Sequence, residues 1–182
     1  MKVKVKNEDA LAVKAYLAYI VHLEKKEGKD IRKDLLNDFL RRHVQDIHFD
    51  PFVSVEAVKE LKRQKIPPSA IENIKWPFKD CSSYVEKIGK KHLFTNRSPD
   101  KIFHFEHNIP AGQAAEMLLA LDLKAPDIDD SIKKILSLCT LCLITLCEDK
   151  KLNKKWKNER PEDAYKQLGI ELMPLSEACS QI

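Results

Sequence analysis

The chain has 182 residues, 43% of them hydrophobic and 33% charged, with 4 glycines and a formal net charge of +4 from 32 basic and 28 acidic side chains. That length suits one compact domain, or a domain with a helical extension, and gives a core large enough to need no staples. The composition excludes a largely disordered chain. The scarcity of glycine argues against a phosphate-cradling nucleotide loop, and the mild positive excess permits a nucleic-acid partner without demonstrating one.

Residues 8–26 predict an amphipathic helix, with Leu11, Ala15, Ala18 and Val21 or His22 recurring at three- and four-residue spacing and Gly28 ending it. A second helix is expected from Ile31 to about Gln45, with Leu35, Leu36, Phe39 and Leu40 on one face. The Asp50-Pro51 pair breaks the chain, and Ser54 is placed to cap a helix from Val55 to about Gln64. Pro67-Pro68-Ser69 starts a short helix. Lys59, Lys62, Arg63 and Lys65 on this helix–turn–helix stretch also fit a DNA-binding motif, although lysines on a solvated helix face are the ordinary finding. A helix over 79–91 and an irregular Thr95-Asn-Arg97-Ser-Pro-Asp100 follow.

The segment Lys101-Ile-Phe-His-Phe-Glu106-His107-Asn-Ile-Pro110 reads as a strand, closed by Asn108 and Pro110. Its two-residue period turns Ile102, His104 and Glu106 to one side and Phe103, Phe105 and His107 to the other. A carboxylate able to hold a divalent cation beside an imidazole able to take a proton from water is a compact hydrolytic kit. His104 faces the Glu106 side with no evident partner. Residues 111–121 predict a buried helix, and Asp127 or Asp129 caps another over 130–138. Cys139 to Thr145 then turns to β-branched and sulfur-containing residues, as a buried strand does. Thr145-Leu-Cys-Glu148 has the form of a capping box that starts a helix at Leu146, carrying Asp149 and Asn153 on one face. Pro161-Glu-Asp opens a last short helix that Gly169 ends.

The expected fold is therefore mostly α with some β (α+β): a helical recognition or dimerisation part over 1–95, then a small two-stranded β element with a crossing helix over 96–182. Cys139-x-x-Cys142 has zinc-like spacing, but Cys147 and Cys81 make an irregular second pair, so a structural zinc is not expected. Five cysteines, no export signal and no apolar run long enough to span a bilayer predict reduced thiols, no membrane and a cytoplasmic location.

Over residues 100–172 the order of strand with Glu106-His107, helical excursion, strand, and capped helix with Asp149 and Asn153 resembles the HNH-type nucleases of the ββα-metal group. The resemblance implies a metal-dependent endonuclease that cleaves DNA. His107 would be the general base and Glu106 and Asn153 the ligands of Mg²⁺ or Mn²⁺, with Asp149 an additional partner and Arg97 on a neighbouring phosphate. The chain departs from the family pattern in its long helical insertion between His107 and Asn153. It also has Asn153 where the family has a final His, and only Asn108 near the place of the middle Asn. Pro99-Asp100 with Glu106-x-Asn108 is faintly similar to the PD-(D/E)xK nuclease core, whose lysine is missing. The alternative to an enzyme is a non-catalytic helical module that binds DNA or a protein partner, as a homodimer where two-fold sites require it.

Overall fold

A computed structural model describes residues 5–23, 30–47, 51–71, 83–156 and 159–180. The expected helix end at Gly28, residue Cys81 and the opening of the helix expected over 79–91 lie outside these residues. The described chain is mixed α and β: nine helices and a four-stranded sheet. Among the described residues no helix is long and apolar enough to cross a membrane.

Two compact units can be distinguished, each drawn from three separated stretches. The first takes Met1–His48, Asn108–Thr140 and Asn158–Glu162. It is helical: α1 (Asn7–Ile20), α2 (Ile31–Ile47), α5 (Ala111–Leu119) and α6 (Ile128–Leu138). Their core joins Val13, Leu17 and Ile20 of α1 to Leu36 and Leu40 of α2, Ala114 and Leu118 of α5, and Ile132 and Leu136 of α6. The stripe expected to turn inward on α1 is not the one that does. Ala10, Val13, Leu17 and Ile20 are buried, while Leu11 is 56% exposed and Val21 43%. The helix carries apolar residues nearly all round, so spacing alone does not choose the buried side, and the neighbouring helices do. Tyr16 stacks on Phe39 with ring centroids 4.4 Å apart, and Lys14 meets Asp129 at 2.7 Å.

The second unit takes Phe49–His107, Leu141–Lys157 and Asp163–Ile182 and holds the sheet. Two of its strands were not expected: β1 (Phe52–Ser54) and β4 (Leu172–Pro174). They join β2 (Phe103–His107) and β3 (Leu141–Thr145) in the order β2-β3-β1-β4. The two-stranded element thus becomes a four-stranded sheet, and the first hundred residues are not wholly helical. Three-residue strands have too little period to be read, and Pro51 before β1 and Pro174 at the end of β4 suggest breaks; at the sheet's edge Pro174 is tolerated because its missing donor faces no neighbour.

β2 and β3 run antiparallel, Phe103 opposite Thr145 and His107 opposite Leu141. β1 lies parallel to β3, with Phe52 opposite Cys142 and Val53 opposite Leu143. Each of these parallel strands runs straight into a helix whose cap the sequence predicts. Ser54 accepts from the Ala57 amide at 3.0 Å to start α3 (Val55–Arg63). Thr145 and Glu148 form the complete capping box of α7 (Leu146–Lys155). Because the strands are parallel and in register, the two caps lie side by side and share a carboxylate oxygen. Glu148 Oε2 accepts from Ser54 Oγ at 2.7 Å, Thr145 N at 2.8 Å and Thr145 Oγ1 at 2.9 Å. The core of this unit is built on Val53, Leu61, Phe94, Phe103, Phe105 and Leu143. Beyond α3 the chain turns at Lys65, whose φ is 57°, into a single 3-10 turn over Pro68–Ile71, and α4 (Ser83–Lys87) falls within the helix expected over 79–91. α8 (Ala164–Gln167) ends at Gly169, whose φ of 67° is the left-handed conformation glycine adopts without strain. α9 (Leu175–Ser180) follows β4.

Candidate metal centre

Strand alternation sorts β2 as the sequence predicts. Phe103 and Phe105 enter the core of the second unit, and His104 and Glu106 occupy the opposite face, partly buried. Helix α7 packs on β2 and β3, and its capping box fixes where its first turn begins. That start brings Asp149, 8% exposed, over His104 and Glu106.

The result is a cluster of one imidazole and two carboxylates. His104 Nε2 is 3.1 Å from Glu106 Oε2 and 3.8 Å from Asp149 Oδ1. One ligand atom from each of the three lies within 4.8 Å of the others. A six-coordinate Mg²⁺ or Mn²⁺ with ligands at about 2.1 Å puts neighbouring ligand atoms about 3 Å apart and opposite ones about 4 Å apart. The spacing and the oxygen-rich donor set therefore fit a hard divalent cation with water in the remaining positions.

Two further side chains hold this cluster in shape. Asn153 Nδ2 donates to Asp149 Oδ1 at 2.7 Å, the one-face pairing that four-residue spacing predicts. Lys101 Nζ is 2.6 Å from His104 Nδ1. An ammonium only donates, so Nδ1 accepts and the ring hydrogen is assigned to Nε2, on the side of the two acids. Burial pushes the Lys101 ammonium below its ordinary value, while Asp149 and Glu106 pull it back up.

Of the residues singled out from the sequence, Glu106, Asp149 and Asn153 come together here. Asn153 reaches the cluster by its amide nitrogen, bound to Asp149, and not as a third oxygen ligand. His107 lies at the end of β2, on the face that carries Phe103 and Phe105. Arg97 is exposed in the turn before that strand. His104 and Lys101 join the cluster although neither was a candidate ligand from the sequence. His104 does have partners, contrary to expectation, and alternation had already set it on the Glu106 side; the missing information was that Asp149 arrives opposite it. Cys139 is buried, donates to the Ile135 carbonyl at 3.4 Å, and has its thiol pushed up to about 12 by burial, which keeps it protonated.

Comparison with known proteins finds no family model that matches the chain, no matching curated protein and no matching solved structure.

Proposed function

We propose that the second unit is a divalent-cation-dependent phosphodiesterase, an endonuclease acting on DNA, with His104, Glu106 and Asp149 as the residues that hold the cation. The convergence of these three side chains, with their ligand atoms within 4.8 Å of one another, carries the reading. The antiparallel β2–β3 pair followed directly by α7 supports the resemblance to the ββα-metal nucleases. The oxygen-rich donor set supports Mg²⁺ or Mn²⁺.

Each side chain has a definable task. Glu106 and Asp149 supply negative charge from two different elements, so the cation site exists only when α7 is seated on the strands. Asn153 fixes the rotamer of Asp149, as outer partners of metal ligands do; Lys101 holds the His104 ring by its Nδ1, so Nε2 would take a cation only by giving up its hydrogen. When bound, the cation would supply positive charge to the phosphate oxygens and to a coordinated water. His107 is the second imidazole of the same strand and the base implied by the family resemblance; its position on the opposite face makes it a separate test from His104.

The same five side chains also satisfy one another, which favours a second reading: a polar brace in a non-catalytic DNA- or protein-binding module. Titration with Mn²⁺ followed by plasmid nicking separates the two. The expected result is saturable Mn²⁺ binding and metal-triggered nicking by the intact chain, both lost in Asp149→Asn and Glu106→Gln at unchanged far-UV circular dichroism. Equal nicking by these variants, or none by the intact chain, removes the hydrolase reading and leaves the brace.

A further inference from the structure

One face of α7 turns towards the cluster and another lines an open groove in the same unit, against α3. Lys59 and Arg63 of α3, Lys150 and Lys151 of α7, and Lys101 ahead of β2 line it. Lys101 therefore belongs to both places, since its Nζ also meets His104. The groove is continuous with the candidate metal centre through that side chain.

Its charge is not evenly distributed. Lys59 pairs with Glu56 at 2.6 Å and Arg63 with Glu60 at 2.8 Å, three residues apart on α3. Glu148, the remaining acid on the wall, is consumed by the two helix caps. Lys150 and Lys151 are exposed and make no ion pair among the described residues. The positive charge without an acid beside it thus sits on Lys150 and Lys151 of α7, while Lys101 donates to Asn96 at 2.7 Å and faces the carboxylates of the cluster. Exposed pairs of the Lys59–Glu56 kind are weak and readily exchanged, so an incoming phosphate can replace the carboxylate.

We infer that this groove seats the phosphate backbone of the nucleic acid, with Lys150, Lys151 and Lys101 contacting successive phosphates and Lys101 leading the strand to the cluster. The inference rests on the hydrolase reading for the identity of the polyanion and names where it lies. The groups presented are point charges on flexible stems. Such groups position a backbone and carry no base information, so binding here is independent of sequence. Each lysine–phosphate contact contributes about 0.9 to the slope of log K against log salt on duplex DNA. Three contacts weaken binding about 40-fold between 50 and 200 mM salt.

The test is fluorescence anisotropy of the full chain with two labelled duplexes of unrelated sequence, in EDTA so that no cleavage occurs, across a salt series. Equal affinity for both duplexes is expected, with the salt slope reduced by about 1.8 in Lys150→Gln/Lys151→Gln. Glu56→Gln, which removes a competing acid from the wall, is expected to tighten binding. A labelled duplex competed by inorganic phosphate at millimolar concentration would instead mark a small-anion site and overturn the strand assignment. An unchanged slope in the double variant, preference for one duplex, or no binding also overturns it. Asp149→Asn serves as the control that keeps the two readings apart: it should bind both duplexes at least as tightly as the intact chain while failing to nick plasmid. If the lysine variant keeps its slope and the intact chain still nicks with Mn²⁺, the groove assignment falls and the hydrolase stands.

Discussion

The shared oxygen between the two helix caps makes a quantitative prediction for Glu148→Ala. The side chain is 6% exposed, and its Oε2 accepts three hydrogen bonds, one from Ser54 and two from Thr145. Removing it dismantles the capping box of α7, at about 0.5–2 kcal/mol. It also leaves the Thr145 amide and the Ser54 hydroxyl, itself 0% exposed, with an acceptor missing. Each such buried orphan costs about 1–3 kcal/mol, and the terms overlap because one oxygen serves them all. A loss of about 3 kcal/mol is therefore expected, or about 6–12 °C in Tm for a chain of this length. Urea denaturation followed by tryptophan fluorescence measures it. The cycle with Ser54→Ala isolates the bond between the caps, whose coupling should be about 1.5 kcal/mol. A loss below about 1 kcal/mol for Glu148→Ala, or strict additivity with Ser54→Ala, would refute the account of the caps as one unit. Because the box sets where Asp149 stands, Glu148→Ala should also weaken Mn²⁺ binding.

His104→Ala should abolish both Mn²⁺ binding and plasmid nicking; His107→Ala tests the other imidazole, since loss of nicking with Mn²⁺ binding retained assigns it to proton transfer, and loss of neither confines the chemistry to the His104 face. Cys139 predicts a pH dependence of stability. Its thiol, at about 12 in the folded chain against an ordinary 9.0, keeps its proton where the unfolded chain has lost it, so stability falls as pH rises above 9. That group contributes about 1.4 kcal/mol per pH unit there. The wild-type stability, compared with Cys139→Ser between pH 8 and 10 by urea denaturation, should decline more steeply than that of the variant; parallel profiles would refute the burial. Exposed Cys147 should react with a thiol reagent in the native chain, and Cys139 only after denaturation.

Several features were written in the sequence because the forces that make them are local. Ser54 with the Ala57 amide, and Thr145 with Glu148, need only residues three apart, so both helix starts could be placed without a fold. The alternation that separates His104 and Glu106 from Phe103 and Phe105 is equally local, as is the pairing of Asp149 with Asn153 along one helix face. The strands Phe52–Ser54 and Leu172–Pro174 were not legible, since three residues carry no period and their stability comes from partners far along the chain. The choice of Val13, Leu17 and Ile20 over Leu11 and Val21 as the buried stripe of α1 was likewise made by neighbouring helices. Above all, the sequence supplied an acid with histidines on either side of it in one segment and an acid with an amide in another. Only the antiparallel register of Phe103–His107 against Leu141–Thr145, with α7 leaving the end of the second strand, decided that His104 meets Asp149. Backbone pairing across long loops fixes such a meeting, and no short-range rule encodes it.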